Sequence, residues 1–212
     1  MKRYHKTTKL LLLTLVCALI LSVVPVYMSN AASKKDVTKT FKDRKQVTSL
    51  VKGLNNWIGY QYLYNKEDYT NTTVKLTNNF MLNAVGMNYA NASKKGLQNK
   101  AKALFGKKPS IKYLNSYKTT DDFYASGDFA GILEDGTIET LVGDWGCSAP
   151  TMTVKKIVKT SSKTYTITAQ THMIDNSENT KKLIGTTTFT IKKNKDLKYG
   201  YYITGIKMKA QQ

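Results

Sequence analysis

The strongest constraint on this chain is a change of period. Up to Gly106 the apolar residues recur at helical spacing, and from about Phe123 onward they alternate with polar ones. In residues 164–174, Tyr165, Ile167, Ala169, Thr171 and Met173 share one face, while Thr166, Thr168, Gln170 and His172 share the other. The spacing predicts a strand with one face in a core and His172 turned away from it. Residues 183–191 repeat the pattern, with Leu183, Gly185, Thr187, Phe189 and Ile191 opposed by Ile184, Thr186, Thr188 and Thr190. Residues 198–209 carry apolar side chains on both faces, among them Tyr201, Tyr202, Ile203, Ile206 and Met208, which predicts a more central strand. Residues 132–142 and 152–159 bring the set to about five strands. Their connections are too short for parallel crossovers, so an antiparallel meander is expected.

Before the change of period three helices are expected. Thr40 and Asp43 resemble a capping box, and Val47, Leu50, Val51, Leu54, Trp57, Ile58 and Tyr62 follow at helical spacing despite Gly53 and Gly59. A second helix over residues 76–89 carries Leu76, Phe80, Ala84 and Met87 on one face. In the third, Ser93 stands at the cap, Leu97, Ala101, Leu104 and Phe105 form the stripe, and Gly106 and Pro109 end it. Helices first and a long-stranded sheet afterwards define an α+β fold, with N-terminal helices packed on one face of a curved antiparallel sheet.

At the level of element order, residues 40–209 resemble the NTF2-like and cystatin-like superfold. The likeness rests on the short helix ending Ala103-Leu104-Phe105-Gly106 and on the run of long C-terminal strands. The chain is also similar to small exported domains of unknown function from Gram-positive gut bacteria, whose endings look like Tyr199-Gly200-Tyr201-Tyr202-Ile203-Thr204-Gly205-Ile206. The resemblance brings no catalytic motif. That fold hosts enzymes, binders and assembly modules alike, so function does not transfer with it.

The amino end reads as an export signal. Residues 1–9 hold Lys2, Arg3, Lys6 and Lys9 without an acid, and a predominantly apolar run follows from Leu10 to Val24, then Pro25. Ser29 and Ala31 fit a signal-peptidase site, with Ala32 the alternative. Residues 1–31 are therefore expected to be a Sec signal peptide, 32–39 a flexible leader and 40–212 a single domain. Counted on to Met28, the run is also long enough to span a bilayer, so retention as an anchor is the alternative reading. Cys17 follows Leu15 and Val16 and lacks the small neighbour that lipidation needs. Asn71-Thr72-Thr73 and Asn91-Ala92-Ser93 match the glycosylation sequon, a match short enough to arise by chance.

Removal of the signal leaves one cysteine, Cys147, one histidine, His172, and 29 basic against 14 acidic residues, formally +15. A single thiol excludes an internal disulfide, and one histidine excludes His-rich metal sites. No cofactor is expected. No nucleophile elbow, zinc-binding HExxH or phosphate-gripping glycine loop is present. Cys147 and His172 are the sole thiol–imidazole candidates, and Cys147 follows an acidic block that disfavours its thiolate. That block, Asp121, Asp122, Asp128, Glu134, Asp135, Glu139 and Asp144, contains no lysine or arginine. Its spacing does not match a calcium loop, and an acidic hairpin turning at Glu134-Asp135-Gly136 is expected.

Two sets of residues remain as binding candidates. Asp144 and Trp145 lie in the loop Gly143-Asp144-Trp145-Gly146-Cys147-Ser148-Ala149-Pro150, where Trp145 either closes the open end of the sheet or offers a platform to a sugar or small ligand. The lysines come in pairs, and Lys181, Lys182, Lys192 and Lys193 are candidates for binding a polyanion. Only Arg44 remains beyond the signal, which argues against nucleic acid, whose readers favour arginine. The expected function is that of an exported, non-catalytic module, secreted or loosely attached to the cell envelope, binding anionic wall polymer, another ligand or a partner. The alternative is a small hydrolase or isomerase with its site in the sheet cone near Asp144, Trp145 and Cys147.

Overall fold

The computed structural model of the protein describes residues 34–142 and 145–212. The expected signal peptide, the start of the leader and Asp144 lie outside the described residues. The unit Lys34–Gln212 is α+β, with a curved six-stranded antiparallel sheet, a small second sheet and five helices. In chain order the elements are β1 (Lys35–Asp36), α1 (Arg44–Lys52), α2 (Asn55–Tyr64), β2 (Thr72–Val74), α3 (Asn78–Gly86) and α4 (Lys94–Phe105). Then come β3 (Ser116–Tyr117), α5 (Thr120–Ser126), β4 (Ala130–Leu133), β5 (Ile138–Thr140), β6 (Ser148–Lys159), β7 (Thr164–Asp175), β8 (Thr180–Lys193) and β9 (Tyr201–Ala210).

The main sheet runs β1-β6-β7-β8-β9-β2. Its four long strands form the meander that the alternation predicts, and the short β1 and β2 are added at its two margins. β1 lies within the expected leader. Lys35 and Asp36 pair with Lys159 and Val158, and the Val37 N–H donates to the Ile157 carbonyl at 2.9 Å, so residues 34–39 are tied to the sheet. Beyond β1 the margin of β6 is guarded by side chains: Arg44 donates to the Val154 carbonyl and Asn55 to that of Pro150. Satisfied carbonyls offer less of a template to a foreign strand.

β9 differs from its expectation for a physical reason. The register of β8 and β9 shifts between Thr190 and Ile191, and this bulge turns both Ile203 and Ile206 inward although they are three residues apart. Of the apolar residues expected on two faces, Tyr201, Ile203, Ile206 and Met208 thus share one with Ala210, and Tyr202 stands half-buried between Tyr201 and Ile203. β9 lies next to the margin of the sheet, not at its centre.

Residues 132–142 are not a strand of the main sheet. Gly136 at φ +84° and the Asp135 carboxylate, which accepts from the Thr137 N–H at 2.7 Å, fold them into the hairpin β4–β5. β3 joins it parallel to β4, with α5 as the crossover. α5 carries a complete Thr119–Asp122 capping box. The expected box at Thr40 and Asp43 does not form: Asp43 makes no cap bond, and its carboxylate accepts from the Tyr201 hydroxyl at 2.7 Å. The expected first helix is two. α1 and α2 part at Gly53, where a Cβ would lie 2.6 Å from Leu104 Cδ2, so the glycine admits α4. α4 itself is capped by Ser93, which accepts from the Gly96 N–H at 3.1 Å, and ends at left-handed Gly106.

The helices fill the concave side of the sheet. Val47, Leu50, Leu54, Ile58 and Tyr62 pack against Met152, Ile167, Phe189 and Met208 in one buried cluster. The small sheet stacks on α3, where the buried Asn83 Oδ1 accepts from the N–H groups of Phe129 and Ala130 at 2.8 and 3.0 Å.

Candidate polyanion-binding face

The convex face of the main sheet is built by the half of each alternation that the core does not use. Register aligns it in rows. Lys156, Thr168, Thr188 and Lys207 form one row across four strands, continued by Thr73 of β2. Thr153, Gln170, Thr186 and Lys209 form the next, and Val158, Thr166, Thr190 and Gly205 a third. Strands spaced by about 4.8 Å put Lys156 and Lys207 on either side of a threonine field about 14 Å wide. The threonines of β7 and β8 on this face are half-buried by one another, and Lys156, Lys192, Lys207 and Lys209 are exposed.

The electrostatics of the face are one-sided. The bulge in β6 adds Lys155, and the strand ends add Lys181 and Lys192. Among the described strand residues that share this side, the one acid is Asp36, 3.7 Å from Lys156. Both members of that pair are more than half exposed, so solvent screens it. The Thr38 hydroxyl and N–H, and then Lys156, hold the Asp36 carboxyl below its usual range. His172 stands on the same face opposite Thr151 and Leu183. Burial, then the charges of Lys181 and Lys155, lower its pKa, and its Nδ1 is buried without a partner among the described residues.

The four lysines singled out in the sequence do not converge. Lys181–Lys182 and Lys192–Lys193 stand at opposite ends of β8, about 35 Å apart at the rise of a strand. Neighbours on a strand point to opposite sides. Lys181 and Lys192 therefore serve the convex face, while Lys182 and Lys193 belong to the other side. Lys193 Nζ lies 3.8 Å from Asp43 and 5.7 Å from the centroid of Tyr201. Lys207 and Lys209, which are not adjacent lysines, share the convex face with Lys181 and Lys192. Their signal was present as the alternation Ile206-Lys207-Met208-Lys209.

The loop before β6 gives less. Trp145 is half-buried against the core, and its Nε1 has no acceptor among the described residues. Asp144 lies outside the described residues. Cys147 is exposed, and its carbonyl accepts from the Asn176 N–H. β6 begins at Ser148, opposite Asp175, and His172 pairs three rungs further along with Thr151, so the backbone of Cys147 stands about 13 Å along the strand from the rung of His172. Three acids of the block have local work. Asp122 caps α5, Asp128 accepts from the Asn115 amide and the Tyr117 hydroxyl, and Asp135 closes the hairpin. Among the described residues no three His, Cys, Asp or Glu gather as for a metal ion, and no helix is long and apolar enough to cross a membrane.

Comparison with protein-family models, with curated proteins and with solved structures found no match.

Proposed function

We propose that this protein is an exported, non-catalytic module of the cell envelope, NTF2-like or cystatin-like in arrangement, that holds anionic wall polymer on the convex face of its main sheet. The observation that carries this reading is the pairing of a threonine field with bordering lysines, on a face where one exposed carboxylate is the sole acid among the described strand residues. Lysine supplies attraction to spaced negative charges, and threonine hydroxyls supply hydrogen bonds to phosphate or sugar oxygens. The rigid strand backbone underneath keeps both in register.

The concave side supports binding over turnover. It is filled by Tyr62, Tyr165, Tyr201, Phe189, Met152 and Met208, and its buried polar groups are neutral, such as Gln61, Thr171 and Thr187. The acidic hairpin lies with the small sheet on the helical side, so a polymer on the convex face does not meet it.

Cosedimentation with purified anionic wall polymer tests the reading. Binding at low salt that falls steeply by 0.5 M salt is expected, because exposed charges are screened within about 10 Å already at 0.1 M. No binding at low salt, or retention unchanged by salt, overturns it.

A further inference from the structure

A cleft of about 380 Å³ opens on the other side of the molecule, at the seam of α1, α3, α4 and the turn before β9. Its walls include Lys52, Lys100, Asn88, Tyr89 and Tyr199, and no aspartate or glutamate. Neither lysine makes an ion pair among the described residues. Lys100 Nζ stands 5.1 Å from the centroid of Tyr89, which places its charge over an aromatic wall. A second recess shares Lys52 and Asn88 and continues past Asn55 and Asn56 to Thr151 and Met152. Asn55 donates its amide N–H to the Pro150 carbonyl, which fixes its orientation, and its buried Oδ1 finds no donor among the described residues.

These features ask for different things of one ligand. Two cations without a counter-ion ask for a carboxylate or phosphate. The side-chain amide of Asn88 in the wall suits a hydroxyl. Tyrosine walls ask for a flat, weakly polar body, and the volume falls in the range of small-molecule sites. We infer that this cleft binds an anionic monosaccharide unit, carboxylated or phosphorylated, with the anion between Lys52 and Lys100 and ring hydroxyls toward Asn88. The site is distinct from the convex face, and neither depends on the other.

Titration calorimetry with four probes tests it: glucuronate, glucose 6-phosphate, glucose and inorganic phosphate. Saturable binding is expected for at least one anionic sugar, and which of the two binds separates carboxylate from phosphate recognition. Glucose and inorganic phosphate should bind at least tenfold more weakly. Lys52→Ala and Lys100→Ala, both at exposed positions, should each weaken the anionic sugar about tenfold, the loss expected for one charge-assisted hydrogen bond. Lys192→Ala on the convex face should leave it unchanged. Failure of both anionic sugars to bind, inorganic phosphate binding as well as the sugar, or equal losses in Lys192→Ala and Lys52→Ala would each overturn the inference.

Discussion

The hydroxyls of Tyr62 and Thr187 meet 2.7 Å apart inside the core and join α2 to β8. The Tyr62 oxygen also accepts from the Lys209 N–H at 3.3 Å, so one phenol links a helix to two strands. Gly185 makes the approach feasible: a Cβ there would lie 2.5 Å from Tyr62 Cε2. Burial pushes the Tyr62 phenol up to about 12, although its bonds to Thr187 and Lys209 oppose the rise.

Tyr62→Phe should therefore cost about 1–3 kcal/mol, the penalty for leaving the fully buried Thr187 hydroxyl without its partner. Gly185→Ala should cost at least as much, because the backbone would have to move off the ring. Urea midpoints report both, with slopes unchanged. The phenol also sets an alkaline limit. Its pKa is higher folded than unfolded, so its contribution is whole below pH 10 and is lost as pH rises toward 12. Tyr62→Phe should flatten that part of the stability profile.

Asn83 holds the small sheet to the helices by accepting two buried N–H groups at once. Asn83→Ala leaves both donors orphaned and should cost about 2–5 kcal/mol. Hydrogen exchange would show loss of protection in β4 and β5 first, with the amides of β7 and β8 still protected. Uniform loss across both sheets would contradict this division of labour.

Much of this architecture was legible because strands with one buried face must alternate. Tyr165 to Met173 and Gly185 to Ile191 have the faces their spacing gives them. Ser93 and Gly106 marked the limits of α4, since a cap and a left-handed glycine are local requirements. What escaped depends on partners distant in sequence. Asp43 looks like a cap until Tyr201, 158 residues away, claims its carboxylate. Gly53 breaks a helix because Leu104 needs the room. The bulge in β9 hides behind an apparent two-faced pattern. The convex face was half legible: adjacent lysine pairs put only Lys181 and Lys192 on it, whereas alternate spacing, as in Lys207 and Lys209, is what puts charges on one side.

His172 offers a pH test of the same face. Its pKa is depressed by burial and by Lys181 and Lys155, so the stability present above pH 6.5 is lost as pH falls through the folded value. His172→Gln should flatten the profile on the acid side of about pH 6.5. A bound polyanion offsets the two lysines and should move the His172 titration upward, visible in its imidazole proton resonances. A titration unmoved by saturating polymer would place the polymer elsewhere.

The central claim is that a particular face, and not net charge alone, holds the polymer. Two triple variants with the same loss of charge separate these: Lys192→Gln, Lys207→Gln and Lys209→Gln on the convex face, and Lys95→Gln, Lys107→Gln and Lys118→Gln away from it, all at exposed positions. Each lysine near an anionic surface contributes about 1 kcal/mol. At low salt the convex triple should bind anionic wall polymer at least tenfold more weakly than the parent, and the other triple within about twofold of it. Equal weakening in the two variants would contradict the account.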